Sequence, residues 1–155
     1  AKLEPNLLGR GVLRVEQKGV VSKMDSPEGF VLADDGSVFE STTNTEGLPT
    51  LSLPQSFLKP VASPLSGWRS GAVADLSQQL TERFPHQEWM IIITDERQLQ
   101  LDPGSGAIVL LGTFNNLGEK LDSLQSIMSD DPEILEERIE LNLISAKNPA
   151  KRQID

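Results

Sequence analysis

Between residues 98 and 128 the hydrophobic and polar positions switch from a period of two to a period of between three and four. Leu99 and Leu101 alternate with Gln98 and Gln100, so one side of that strand is buried and the other wet. Asp102-Pro103-Gly104-Ser105-Gly106 supplies restricted and permissive backbone angles for a turn. Ile108 to Leu111 is apolar at four successive positions, which predicts a return strand covered on both faces, inside a sheet. Leu117, Leu121, Leu124 and Met128 then recur at helical spacing, with Glu119, Lys120 and Asp122 turned to solvent. Asn116 can cap the helix, and with Glu119 three residues later it is a near match to a capping box. The unit is a β-hairpin feeding a helix that lies on its sheet.

The same reading extends in both directions. Residues 1–11 hold Pro5, Gly9 and Gly11 without a sustained period and read as irregular. Val12 to Glu16 and Val20 to Met24 read as short strands. Phe30–Ala33 and Ser37–Phe39 flank Asp34-Asp35-Gly36, a strong hairpin signal, so the first third is a meander. Residues 40–67 are rich in Pro, Ser and Thr and read as a wrapping loop with one edge strand at Thr50 to Leu53. Val73, Leu76, Leu80 and Phe84 predict a helix from Ser70 to Phe84, stopped by Pro85. Glu88 to Thr94 is a buried strand that places Trp89 in the core, and Trp68 precedes the helix as a core or binding aromatic. Asp131-Pro132 opens a short helical turn to Glu137. Arg138 to Ser145 alternates as a last strand, and the polar residues after Lys147 read as a frayed tail. The fold class is α+β: a mixed, mainly antiparallel sheet with two amphipathic helices packed on it.

Composition narrows the function. Twenty-three acidic against 14 basic residues in 155, a net charge of -9, argue against a nucleic-acid surface, which needs clustered cations. With no cysteine, thiol catalysis, disulfides and cysteine-ligated metals are excluded. No run reaches the length of a membrane span, and residues 1–30 show no signal-peptide core.

Candidate chemistry is sparse. His86, between Pro85 and Gln87, is the one imidazole for a Ser-His-acid triad and reads as a loop residue. Asp34-Asp35-Gly36-Ser37 lacks the further ligands of a calcium loop. Gly104-Ser105-Gly106 lacks the third glycine and following helix of a phosphate loop. The pairs Asp95-Glu96 and Asp130-Asp131 are sequence neighbours, which rarely span a glycosidase cleft. Lys147, Lys151 and Arg152 read as a solubilising cluster. The residues therefore predict no catalytic group, no cofactor and no metal. The last strand is left: with nothing after it able to pair, its edge can recruit a strand from a partner.

Several stretches resemble the bacterial FtsQ/DivIB cell-division family. Val15-Glu16-Gln17-Lys18-Gly19-Val20-Val21-Ser22-Lys23, Leu32-Ala33-Asp34-Asp35-Gly36-Ser37-Val38-Phe39 and Leu48-Pro49-Thr50-Leu51 look like that family's join between a POTRA domain and its β domain. Leu99-x-Leu101, Val109-Leu110-Leu111-Gly112, Glu119-Lys120-Leu121-x-x-Leu124 and Ile139-Glu140-Leu141-Asn142 follow as similar landmarks in the same order. Gly19 replaces the usual Pro, Glu140 and Asn142 replace Asp and Arg, and the 40–67 loop is long.

The resemblance implies a non-enzymatic divisome scaffold on the extracytoplasmic, periplasmic side of the inner membrane, at the division septum. It implies a remnant of a POTRA-like domain or an N-terminal extension at residues 1–17, a β domain at 18–147 and a disordered tail at 148–155. A membrane anchor in the full-length protein would lie outside this sequence. The implied partners are FtsB-like and FtsL-like small division proteins, one adding a strand along Asn142, Leu143, Ile144, Ser145, Ala146 and Lys147. An extracytoplasmic carbohydrate-active hydrolase, using Asp95 or Asp130, and a POTRA-like secretion adaptor are the alternatives.

Overall fold

The computed structural model describes residues 2–5, 11–14, 19–54 and 69–155, with side chains from 19 onward. Trp68, the 55–67 part of the Pro-rich loop and Val15–Glu16 lie outside the described residues. The elements in chain order are β1 (Lys2–Pro5), β2 (Gly11–Arg14), β3 (Val20–Met24), β4 (Phe30–Ala33), β5 (Val38–Glu40) and β6 (Thr50–Ser52). They continue with α1 (Ser70–Arg83), β7 (Met90–Ile93), β8 (Leu99–Asp102), β9 (Ile108–Gly112) and α2 (Leu117–Asp130). A 3-10 turn (Ile134–Glu136), β10 (Ile139–Asn142) and β11 (Ala150–Gln153) complete the series. None of the described helices is long and apolar enough to cross a membrane.

The fold is α+β. Nine strands form one mixed, mostly antiparallel sheet in the order β11-β10-β9-β8-β7-β6-β3-β4-β5, while β1 and β2 pair with each other. The predicted meander is present as the antiparallel β3-β4-β5, with Asp34 to Ser37 turning between β4 and β5. Within that turn Asp35 Oδ1 accepts from the Ser37 amide and hydroxyl. Residues 1–11, read as irregular, contribute β1 instead, because Leu3 and Glu4 find register partners in Leu13 and Val12 of β2. The strand at Thr50 is also placed differently from expectation. It is not at an edge but runs parallel to β3 on one side and β7 on the other, and Leu51 is fully buried there.

Two crossovers fix the layers. β6-α1-β7 and β9-α2-β10 each join neighbouring parallel strands and step the same way across the sheet. Such connections are right-handed almost without exception, so both helices lie on one face. An ion pair from Arg83 of α1 to Asp122 of α2 spans them. The core lies between this layer and the sheet: Val73, Leu76 and Leu80 of α1 and Leu121 and Leu124 of α2 pack with Leu51, Ile91, Leu101, Val109, Ile139 and Leu141. Trp89 joins the core just before β7, edge-on to Phe84 with ring centroids 5.6 Å apart. On the other face Met90, Ile92, Ile108 and Leu110 are half-buried, so the predicted cover of β9 is full on one side and partial on the other.

The start of α2 departs from its sequence signature. Asn116 adopts a left-handed backbone (φ 56) and makes no side-chain cap, so no capping box forms with Glu119. Lys120 does not face solvent either. It is 3% exposed, and its amine donates to Leu111 O (2.6 Å) and Thr113 O (3.0 Å), carbonyls at the end of β9. Its four-carbon stem fills a place on the apolar stripe, as long cationic side chains can when the head finds acceptors.

Candidate functional site

Asn142 to Lys147 is not a strand edge. Asn142 ends β10 and is flanked on both sides, by Leu110 of β9 and Ala150 of β11. Leu143 is fully buried, and its amide donates to Leu110 O (2.8 Å). Ile144 is the exposed large hydrophobic of the described residues; its amide donates to Asn142 Oδ1 (3.0 Å) and its side chain lies over Gly112. Ser145 O accepts from the Asn148 amide (3.1 Å), and Ala146 O accepts from Ser123 Oγ (3.3 Å) of α2. Lys147 is exposed in the same turn. The stretch expected to dock a partner is thus a structured connection between two strands of this chain.

The residues after Lys147 correct the other expectation. They do not fray: Ala150–Gln153 forms β11, antiparallel to β10 in the register Glu140↔Arg152 and Leu141↔Lys151. Besides the backbone ladder, two ion pairs tie β11 to β10 and to the end of the 3-10 turn before β10. Lys151 Nζ meets Glu137 Oε2 at 2.8 Å, and Arg152 donates to Glu140 Oε2 at 3.0 Å. All four β11 side chains are exposed, so no apolar alternation marks the strand in sequence. Asn148-Pro149 is the signal that could have found it, a turn dipeptide followed two and three residues later by the cations Lys151 and Arg152.

β11 ends the sheet, and among the described residues its far side has no neighbour. The direction of its backbone follows from one hydrogen bond. Ile154 N donates to Arg138 O at 2.9 Å, so in this antiparallel register Ile154, Arg152 and Ala150 bond inward to β10. The amides and carbonyls of Lys151 and Gln153 therefore point outward. The sheet's other terminal strand is β5, three residues long.

The remaining candidates are scattered. His86 and the pair Asp95-Glu96 are exposed in separate turns, and Asp130-Asp131 is exposed at the end of α2. Asp102 Oδ1 accepts from the Gly104 amide at 2.7 Å, and Ser105 Oγ donates to Leu135 O, so the Gly-Ser-Gly segment is a turn locked to the 3-10 region. Among the described residues no three His, Cys, Asp or Glu side chains are grouped to hold a metal. Glu88 and Asp102 line one shallow depression of about 180 Å³, together with Lys23, Thr50 and Met90. Compared with known proteins, the chain matches no family model, and no curated protein matches it significantly.

Proposed function

We propose that this chain is a non-enzymatic scaffold of the FtsQ/DivIB kind, which recruits a small division protein by strand addition to its last strand. The observation that carries the reading is the outward-facing backbone of Lys151 and Gln153 at the end of a nine-stranded sheet. An extended partner segment laid there gains ladder hydrogen bonds from these two residues, while side chains alternating about the strand supply specificity. β11 takes the docking role expected of residues 142–147. In this reading the domain sits on the extracytoplasmic side of the inner membrane at the septum, and its partners are FtsB-like and FtsL-like proteins.

Proline at an outward position removes a donor without touching the ladder bonds to β10; at Lys151 it also removes the ion pair to Glu137, so Gln153 is the cleaner position. Gln153→Pro and Lys151→Pro are expected to abolish retention of an FtsB-like coiled-coil partner in pull-down while leaving the circular dichroism spectrum unchanged. Undiminished retention by both variants would place the docking edge elsewhere.

A further inference from the structure

The strand that offers the docking edge is itself held in an unusual way. None of its four side chains is buried, so it contributes nothing to the core that fixes β10, where Ile139 and Leu141 are almost fully covered. What ties it down, apart from the ladder, is two side-chain ion pairs, Lys151–Glu137 with side chains 40% and 42% exposed, and Arg152–Glu140 with 74% and 23%. Short strands with no buried side chain lie at the low end of local stability. Pairs this exposed are screened by salt, as the Debye length falls from about 10 Å at 0.1 M to about 3 Å at 1 M.

We infer that Glu137 and Glu140 form an electrostatic latch that sets how much of the time β11 is paired to β10, and so how much of the time its outer edge exists. The two carboxylates never touch the partner; they position the strand that does. Each pair shifts the ratio of paired to unpaired β11 by at most about fivefold, so the population responds to ionic strength over the working range. A docked segment turns β11 from an edge strand into an interior one, so binding and ordering are coupled, and affinity falls with salt even for an uncharged partner strand. This last consequence rests on the scaffold reading; the latch does not.

The test is amide hydrogen exchange on the free chain between 0.1 and 1 M NaCl, following Arg152 and Ile154, which donate into β10, with Leu143 as the core control. The latch predicts that the first two exchange faster than Leu143 and speed up several-fold with salt. Glu140→Gln should make Arg152 and Ile154 fast already at low salt. Because the chain has no cysteine, E140C/R152C gives one unique cross-link, and Cα atoms of a hydrogen-bonded antiparallel pair sit about 5.5 Å apart, within disulfide range. The oxidised variant should be slow and indifferent to salt. Arg152 and Ile154 amides as protected as Leu143 and unmoved by salt or by Glu140→Gln would overturn the latch, as would salt acceleration that survives the cross-link. The partner's affinity should drop several-fold in Glu140→Gln and recover in the oxidised pair. Latched exchange behaviour with no partner binding by any variant would instead remove the scaffold reading and leave the latch standing.

Discussion

Glu140 and Arg152 stand opposite each other on β10 and β11, and their side chains close an ion pair of 3.0 Å across the last two strands of the sheet. Arg152 is three-quarters exposed, so the pair is a surface interaction. Replacing Glu140 with Gln is expected to change global stability by less than about 1 kcal/mol in urea unfolding. The same substitution changes the local opening of β11, because the two measurements report on different units of structure.

Leu143 is the opposite case. Its side chain is in the core and its amide bonds β9, so Leu143→Pro loses both a ladder bond and a packed position. We expect a loss of about 3 kcal/mol or more, read as a lowered urea midpoint, where Gln153→Pro stays within about 1 kcal/mol of the parent. A partner assay on Leu143→Pro would therefore report unfolding, not docking.

Lys120 brings a charge into the layer between α2 and the sheet, and burial holds its amine below the ordinary 10.5. The unfolded chain then binds more protons than the folded one between the lowered value and 10.5, so stability rises with pH in that window. It is lost again as pH falls through the folded value. Lys120→Met removes this slope: the difference in stability between parent and variant should shift in the parent's favour as pH climbs from 7 toward 10.5. Lys120→Ala, which also removes the stem and leaves Leu111 O and Thr113 O without their donor, should cost about 2 kcal/mol at pH 7.

Gly36 turns between β4 and β5 at φ +84, and a Cβ there would lie 2.9 Å from Gly71 N and from Ser70 Oγ at the start of α1. Gly29 has a similar φ of +87 but open space around it. Gly29→Ala should cost only the backbone strain, about 1 kcal/mol, and Gly36→Ala clearly more, since the hairpin must move away from the helix. Thermal unfolding of the two variants side by side measures the contact alone.

Elements whose alternation or helical stripe is carried by buried aliphatic side chains were legible from the pattern. α1, α2, the β4–β5 hairpin, β7, β8 and β9 fall within a few residues of their predicted bounds, because Leu80, Leu121, Ile91 and Val109 are where burial and periodicity agree. β11 was not legible: a strand held by backbone bonds and two ion pairs leaves no hydrophobic trace. β6 was seen but misplaced, since three residues around Leu51 cannot show whether one or both sides are paired. Lys120 and Asn116 were misread for another reason. Their roles are set by the carbonyls at the end of β9 and by a left-handed backbone, which depend on tertiary position and not on local sequence.

The most direct measurement follows the Lys151 and Gln153 amides by hydrogen exchange as an FtsB-like segment is added to the chain. Docking at the outer edge of β11 predicts that both amides, fast in the free chain, become protected together, while Leu143 stays unchanged. Saturated binding that leaves them as fast as before would contradict it.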